Sequence, residues 1–265
     1  YLGMDINLGY RNIGRFYPHH LEIESNQWKY EDKDHGHVGY SGFAYMNQPF
    51  PMEYTVVAVN KDGEETQNYG FFDSSLQDEL ALTAISNDNG QSLLNRLIYT
   101  NQSTNGWSDL LTNGKTTERN AQYVVNYDDF EFLKKLGSNP NNSEYTSTSD
   151  GPYDSTNAKF GVAVIKKVDD VDFDFTSVDS GDKITLDADG NGTVDIGLKF
   201  TLQPDFRYGR IALDSVSGPI GGPISVPLRS EYWDGSSFIT NPDDSGSQFI
   251  PSVYYVMSDI AGSSA

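Results

Sequence analysis

The chain has 265 residues, and 38 acidic against 18 basic side chains leave a formal charge of −20 at pH 7. Nucleic acid and anionic membrane both demand clustered Lys and Arg, so this charge argues against either as a partner. The 37% hydrophobic and 13% aromatic content allows a packed core, and 25 Gly with 17 Tyr point to strands joined by turns rather than to disorder. The absence of cysteine excludes a disulfide framework, a thiolate nucleophile and a cysteine metal site.

Period-two alternation predicts the strands. In chain order they are MEYTVVAVN at 52–60, AKFGVAVIKK at 158–167, KITLD at 183–187, TVDIGLKF at 193–200, YGRIALDSV at 208–216 and ISVPLRSEYW at 224–233. The cleanest alternation puts Val194, Ile196, Leu198 and Phe200 on one face, opposite Thr193, Asp195 and Lys199. Turns at Asp62-Gly63 and within DADGNG imply antiparallel pairing. YDDFEFLKKLG at 127–137 is the best helix candidate, with Asp128 as cap and Gly137 as terminator; its rival is a strand with Phe130 and Phe132 on one face. The polar stretch at 137–156 reads as a long exposed loop without core residues. The acidic run KKVDDVDFDFTSVDSGD interrupts the strand pattern and sets a boundary near residue 175. The predicted fold is all-β: antiparallel, immunoglobulin-like β-sandwich modules, two in number, with a jelly roll as the alternative. Residues 1–20 are a connecting segment, 21–175 a β-sandwich domain, and 176–265 a second sandwich or a completing sheet.

LDADGNGTVD carries the sharpest chemical signal. Asp187, Asp189, Asn191, the Thr193 carbonyl and Asp195 fall at alternate positions of a Gly-containing loop, as oxygen ligands do around Ca²⁺. Against the EF-hand pattern they take positions 1, 3, 5, 7 and 9, with Gly192 at 6, but Leu198 stands where the bidentate Glu belongs and the flanks are strands. The expectation is a shortened calcium loop with a structural ion; the competing reading is a plain hairpin turn. A second run, Asp169, Asp170, Asp172 and Asp174, could hold an interdomain cation or form a solvated face. His19-His20 and His35-Gly36-His37 could bind Zn²⁺ or Cu²⁺ only if they converge. Trp28, Trp107 and Trp233 are candidates for a glycan-stacking platform, or for core packing. No G-x-S-x-G, H-E-x-x-H, P-loop or dinucleotide fingerprint occurs, while the many carboxylates leave a glycosidase pair neither found nor excluded.

Four ordered phrases carry a family resemblance: IGRFYPHHLEI at 13–23, GFAYMNQPFPMEYTVVAVNKDGEETQNY at 42–69, DGPYDSTNAKFGVAV at 150–164 and FRYGRIALDSVSGPIGGPISVPLRSEYWDGSSFITNPDDS at 206–245. Together they resemble the C-terminal region of MshQ-like proteins, a family associated with mannose-sensitive haemagglutinin (MSHA) type IV pili. Here Gly246 follows Asp243-Asp244-Ser245 where family members often have a cysteine, and His19-His20 replaces the usual Asp-His. The resemblance implies an exported, pilus-associated or cell-surface protein and supplies no catalytic residues.

These readings set the functional expectations. The first is a non-enzymatic, extracellular bacterial surface module acting in pilus assembly, tip presentation or adhesion. Its partners would be pilin subunits or adjacent modules of the same protein, without membrane insertion. No stretch approaches the ~20 apolar residues that span a bilayer, and a start at Tyr1 reads as a processed product or fragment. The alternatives are a carbohydrate-binding adhesin module for host or environmental glycans and a carboxylate-based hydrolase.

Overall fold

The computed structural model describes residues 17–30, 42–67, 69–111, 119–135, 148–166, 173–174, 176, 178–218 and 225–247. Two antiparallel sheets form a sandwich. The first contains β1 (His20–Trp28), β3 (Phe50–Val59), β5 (Leu97–Leu111) and β6 (Arg119–Phe132), in the order β1-β3-β6-β5. The second contains β4 (Glu79–Ser86), β7 (Ala158–Lys166), β8 (Lys183–Leu186) and β9 (Asp195–Lys199), in the order β4-β7-β9-β8. A short parallel pair joins β2 (Ala44–Tyr45) to β10 (Phe206–Arg207). Beyond it lies a third antiparallel sheet of β11 (Gly209–Leu213), β12 (Leu228–Trp233) and β13 (Phe238–Thr240). The predicted all-β, antiparallel sandwich architecture is therefore present.

Alternation explains how the strands face inward. Phe50, Met52, Tyr54, Val56 and Ala58 of β3 are buried, while Pro51, Glu53 and Thr55 between them are partly exposed. Phe160 and Val162 of β7 bring the second sheet against them. Aromatic rings fill the space between the sheets: Phe132 lies 5.6 Å from Phe160, Tyr54 5.4 Å from Phe200, and Trp28 6.0 Å from Phe160, mostly edge to face.

Three sequence expectations change. FEFLKK is not helical: residues 127–132 extend β6, because Phe130 and Phe132 are both completely buried and only a strand sends both to the same core. In β9 the expected face is inverted at its start, where Val194 is 56% exposed and Asp195 only 3%. The strand lies between β7 and β8, and the Ala188 N–H satisfies the inward carboxylate at 2.9 Å. The third change concerns the long polar stretch. Residues 136–147 lie outside the described residues, but its end is anchored, with Asp150 paired to Arg96 at 2.5 Å and Tyr153 packed 5.2 Å from Phe132. The proposed boundary near 175 separates strands that share one sheet, since β4 and β7 precede it and β8 and β9 follow it.

Candidate metal centre and inter-sheet junction

The β8–β9 connection is built by the sequence DADGNGTV. Leu186 and Asp195 are register partners, so residues 187–194 must reverse the chain between them. Gly190 and Gly192 supply the required left-handed backbone, with φ of +76° and +86°. Backbone N–H groups then fold onto the carboxylates. Asp187 Oδ1 accepts from the N–H of Gly190 at 2.8 Å and of Asn191 at 3.1 Å, and its Oδ2 accepts from Gly192 at 2.8 Å. Asp189 Oδ1 accepts from the Asn191 N–H at 3.0 Å.

This folding brings carboxylate oxygens of Asp187, Asp189 and Asp195 within 4.8 Å of one another. Among the described residues no Lys or Arg forms an ion pair with any of the three. Two carboxylates at such a separation repel by about 1 kcal/mol in water-like surroundings and several-fold more beside protein. Loop N–H dipoles offset part of this, and a divalent cation would remove it. Of the five expected ligands, the three carboxylates are thus brought together. Asn191 instead turns its amide inside the loop, donating to Asp189 Oδ2 at 2.8 Å and accepting from the Thr193 N–H at 2.7 Å. The oxygen-only donor set suits Ca²⁺ better than a softer transition metal.

Other candidates are placed as follows. Trp28 packs edge-on against Phe50, Phe130, Phe160, Phe200 and Phe206, and its indole N–H donates to the Leu202 carbonyl at 2.8 Å. Trp107 is buried against Tyr69 and Tyr123 and donates to the Asp78 carbonyl at 2.9 Å. Trp233 belongs to the third sheet, 5.3 Å from Phe238. The three indoles do not form one platform: two are core members whose N–H groups are committed to backbone carbonyls. His35 and His37 lie outside the described residues, as do Asp169, Asp170 and Asp172. His19 and His20 meet Nδ1 to Nδ1 at 3.0 Å; Asp174 lies 3.4 Å from His19 and Glu22 lies 3.1 Å from His20. The hydrogen bond from Thr176 holds the Asp174 carboxyl below its ordinary range.

A second constellation went unpredicted. Arg207 lies between the rings of Phe43 and Tyr232, 4.3 and 4.7 Å from their centres, and its guanidinium donates to Asp205, Asn241 and Asp243. Beside it the Tyr45 hydroxyl donates to Asp244 and accepts from Asn241, both at 2.8 Å. Burial, opposed by the hydrogen bond from Asn241, pushes the Tyr45 hydroxyl well above the ordinary tyrosine value. Tyr153 and Phe206 exchange both backbone hydrogen bonds, at 2.9 and 3.0 Å. The AYMNQ, GPYD, FRYGR and NPDDS segments, far apart in sequence, thus meet at one junction that carries the third sheet. Its only advance signal was their joint appearance as family phrases, since spacing could not pair residues nearly 200 positions apart.

Residues 1–193 match the family model described as DUF6701, third domain, and residues 207–265 match that described as DUF6701, fourth domain. No curated protein and no solved structure matches the chain. With the third-domain model alone covering well over half of the sequence, the chain belongs to the DUF6701 family.

Proposed function

We propose that the chain is a non-enzymatic, extracellular module of an MshQ-like, type IV pilus-associated surface protein, and that the β8–β9 loop takes a structural Ca²⁺. The convergence of Asp187, Asp189 and Asp195 in a backbone-preset loop is the observation that carries this reading. Such an ion fixes the reversal between two paired strands and so stiffens the second sheet. The four ordered phrases support the pilus association, and an all-β frame suits a part that holds shape under load while presenting edges to pilin subunits or adjacent modules. Among the described residues no helix is long and apolar enough to cross a membrane.

Thermal unfolding with added calcium, against chelator-treated protein, tests the ion. Extracellular calcium modules bind at about 10⁻⁴ to 10⁻³ M. Calcium at about 10 mM would then stabilise the fold by about 1.4–2.7 kcal/mol, raising Tm by about 3–5 °C for a chain of this size. Asp187→Asn with Asp189→Asn keeps the side-chain shapes while removing two charges, and should abolish the rise. An unchanged Tm, or an equal rise in the variant, would sink the calcium reading. Surface placement has its own test in antibody labelling of intact cells, where staining only after permeabilisation would count against it.

A further inference from the structure

His19 and His20 stand where the chain enters β1, and neither takes part in the aspartate loop or the junction. Consecutive side chains of a regular strand point to opposite faces. His19, however, lies in a bend just before the strand; its N–H donates to the Val59 carbonyl at 2.8 Å and its carbonyl accepts from the Asp174 N–H at 2.9 Å. The bend lets the two rings meet, with Nδ1 facing Nδ1 at 3.0 Å. The ring centres are 5.2 Å apart, close to the largest separation that such a contact permits, so the two in-plane Nδ1 directions are aimed at one another. On the far side of each ring lies a carboxylate: Asp174 is 3.4 Å from His19 Nε2, and Glu22 is 3.1 Å from His20 Nε2. A carboxylate only accepts, so each neutral imidazole carries its proton on Nε2 and leaves Nδ1 bare. Two bare nitrogens in head-on contact repel unless a cation sits between them, and that cation is either a proton or a metal ion.

We infer that the His19–His20 pair is a metal site for copper(I), bound between the two Nδ1 atoms. A metal-binding imidazole usually donates its other N–H to a carboxylate or carbonyl, which fixes the tautomer and the ring orientation, and here both rings have such a partner. Imidazole nitrogen is a good donor for copper and zinc alike, so the number of ligands decides between them. Among the described residues three or more His, Asp or Glu ligand atoms gather only at Asp187, Asp189 and Asp195. No third such group therefore joins the two rings, and Asp174 and Glu22 sit at the outer nitrogens, away from the gap. A structural zinc site takes four ligands, whereas copper(I) is satisfied by two opposed nitrogens. With metal–nitrogen bonds of about 2 Å, opposed donors stand about 4 Å apart, so the rings must separate by about 1 Å. The His19 side chain, 32% exposed against 12% for His20, has room to make that shift. The chain's charge of −20 draws cations to the surface on which the pair opens. This inference stands apart from the calcium and pilus readings.

The test titrates the full chain with copper(I), kept reduced by ascorbate, against the competing chelator bicinchoninate. The chain has no cysteine, so no thiolate competes for the ion. One copper should be retained per chain, and His19→Gln or His20→Gln should weaken retention at least tenfold, as expected when a ligand is removed. His35→Gln with His37→Gln, the remaining histidines, should leave retention unchanged. X-ray absorption of the copper-loaded chain should show two nitrogen ligands. No retention by the unaltered chain, or equal retention by either single variant, would overturn the inference and leave a proton between the two nitrogens. Loss of retention in the His35→Gln/His37→Gln variant would overturn it too, as would a four-coordinate absorption signature. If circular dichroism shows that His20→Gln does not fold, His19→Gln at the more exposed ring decides the matter alone.

Discussion

Phe206 is where the sandwich and the junction meet, and its truncation is the most informative single change. The ring is completely buried and lies 4.8 Å from Phe132, 5.4 Å from Phe160, 6.0 Å from Trp28 and Phe50, and 6.2 Å from Phe130. These neighbours come from β1, β3, β6 and β7, so each is held by its own ladder and cannot collapse into the space left by Phe206→Ala. Phe-to-Ala changes in cores cost about 3–5 kcal/mol, and poor collapse places this one at the upper end, about 4–5 kcal/mol. Against a typical domain stability of about 5–15 kcal/mol that is a large fraction. Urea unfolding followed by tryptophan fluorescence reads it directly, since Trp28 touches Phe206. With a slope of about 3 kcal/mol/M, the midpoint should fall by about 1.5 M. Leu213→Ala on the exposed face of the third sheet is the control, expected within about 0.5 kcal/mol. A fall of less than about 0.5 M for Phe206→Ala would refute the claim that this ring organises the core.

Three further outcomes follow from the contacts. Gly161→Ala would place a Cβ 1.9 Å from the Leu198 carbonyl oxygen, so β7 and β9 must part; a loss of at least about 1–3 kcal/mol is expected, with faster amide exchange across β9. Arg96→Met removes a guanidinium that bonds Asp150 and the Leu133 carbonyl and lies between Phe132 and Tyr153, so about 3–5 kcal/mol should be lost in a melt, while adding Asp150→Leu should recover much of it. The third outcome concerns acid. The hydrogen bond from Arg210, with that from Arg229, holds the Glu231 carboxyl below its ordinary value of 4.5. Its stabilisation is therefore complete above pH 4.5 and lost as pH falls through the lowered value. Trp233 fluorescence should report loosening of the third sheet below that pH, and Glu231→Gln should remove this pH dependence.

What was legible in the sequence was whatever repeats at short range. Alternation located β3, β7, β8, β9, β11 and β12 because each has neighbours two residues apart with the same fate. It failed where burial is set from outside the segment. Asp195 turns inward because Ala188 offers a hydrogen bond and β8 covers that side, facts absent from the strand's own pattern. DDFEFLKK has helix-like charge order, yet two Phe side chains seated in the core outweigh a propensity difference of a few tenths of a kcal/mol per residue. The aspartate loop was legible because its chemistry is local. Arg96 with Asp150 and Arg207 with Asp243 were not, because their partners are brought in by tertiary packing alone.

The short stretch between the two family-model matches, residues 194–206, behaves as a clamp. β9 within it completes the second sheet by pairing with both β7 and β8. Just after β9 the Phe200 N–H donates to the Phe160 carbonyl, and the Gln203 amide accepts from the Phe160 N–H while donating to the carbonyls of Phe160 and Phe200. Asn26 of β1 exchanges two hydrogen bonds with the Leu202 backbone, and Tyr30 receives the Asp205 N–H. Phe200 and Phe206 bury their rings in the core at either end of this run. Strands from both sandwich sheets therefore grip it, leaving little slack between Asp195 of the aspartate loop and Arg207 of the junction. An ion that fixes the loop would thereby restrain the segment that leads into the third sheet.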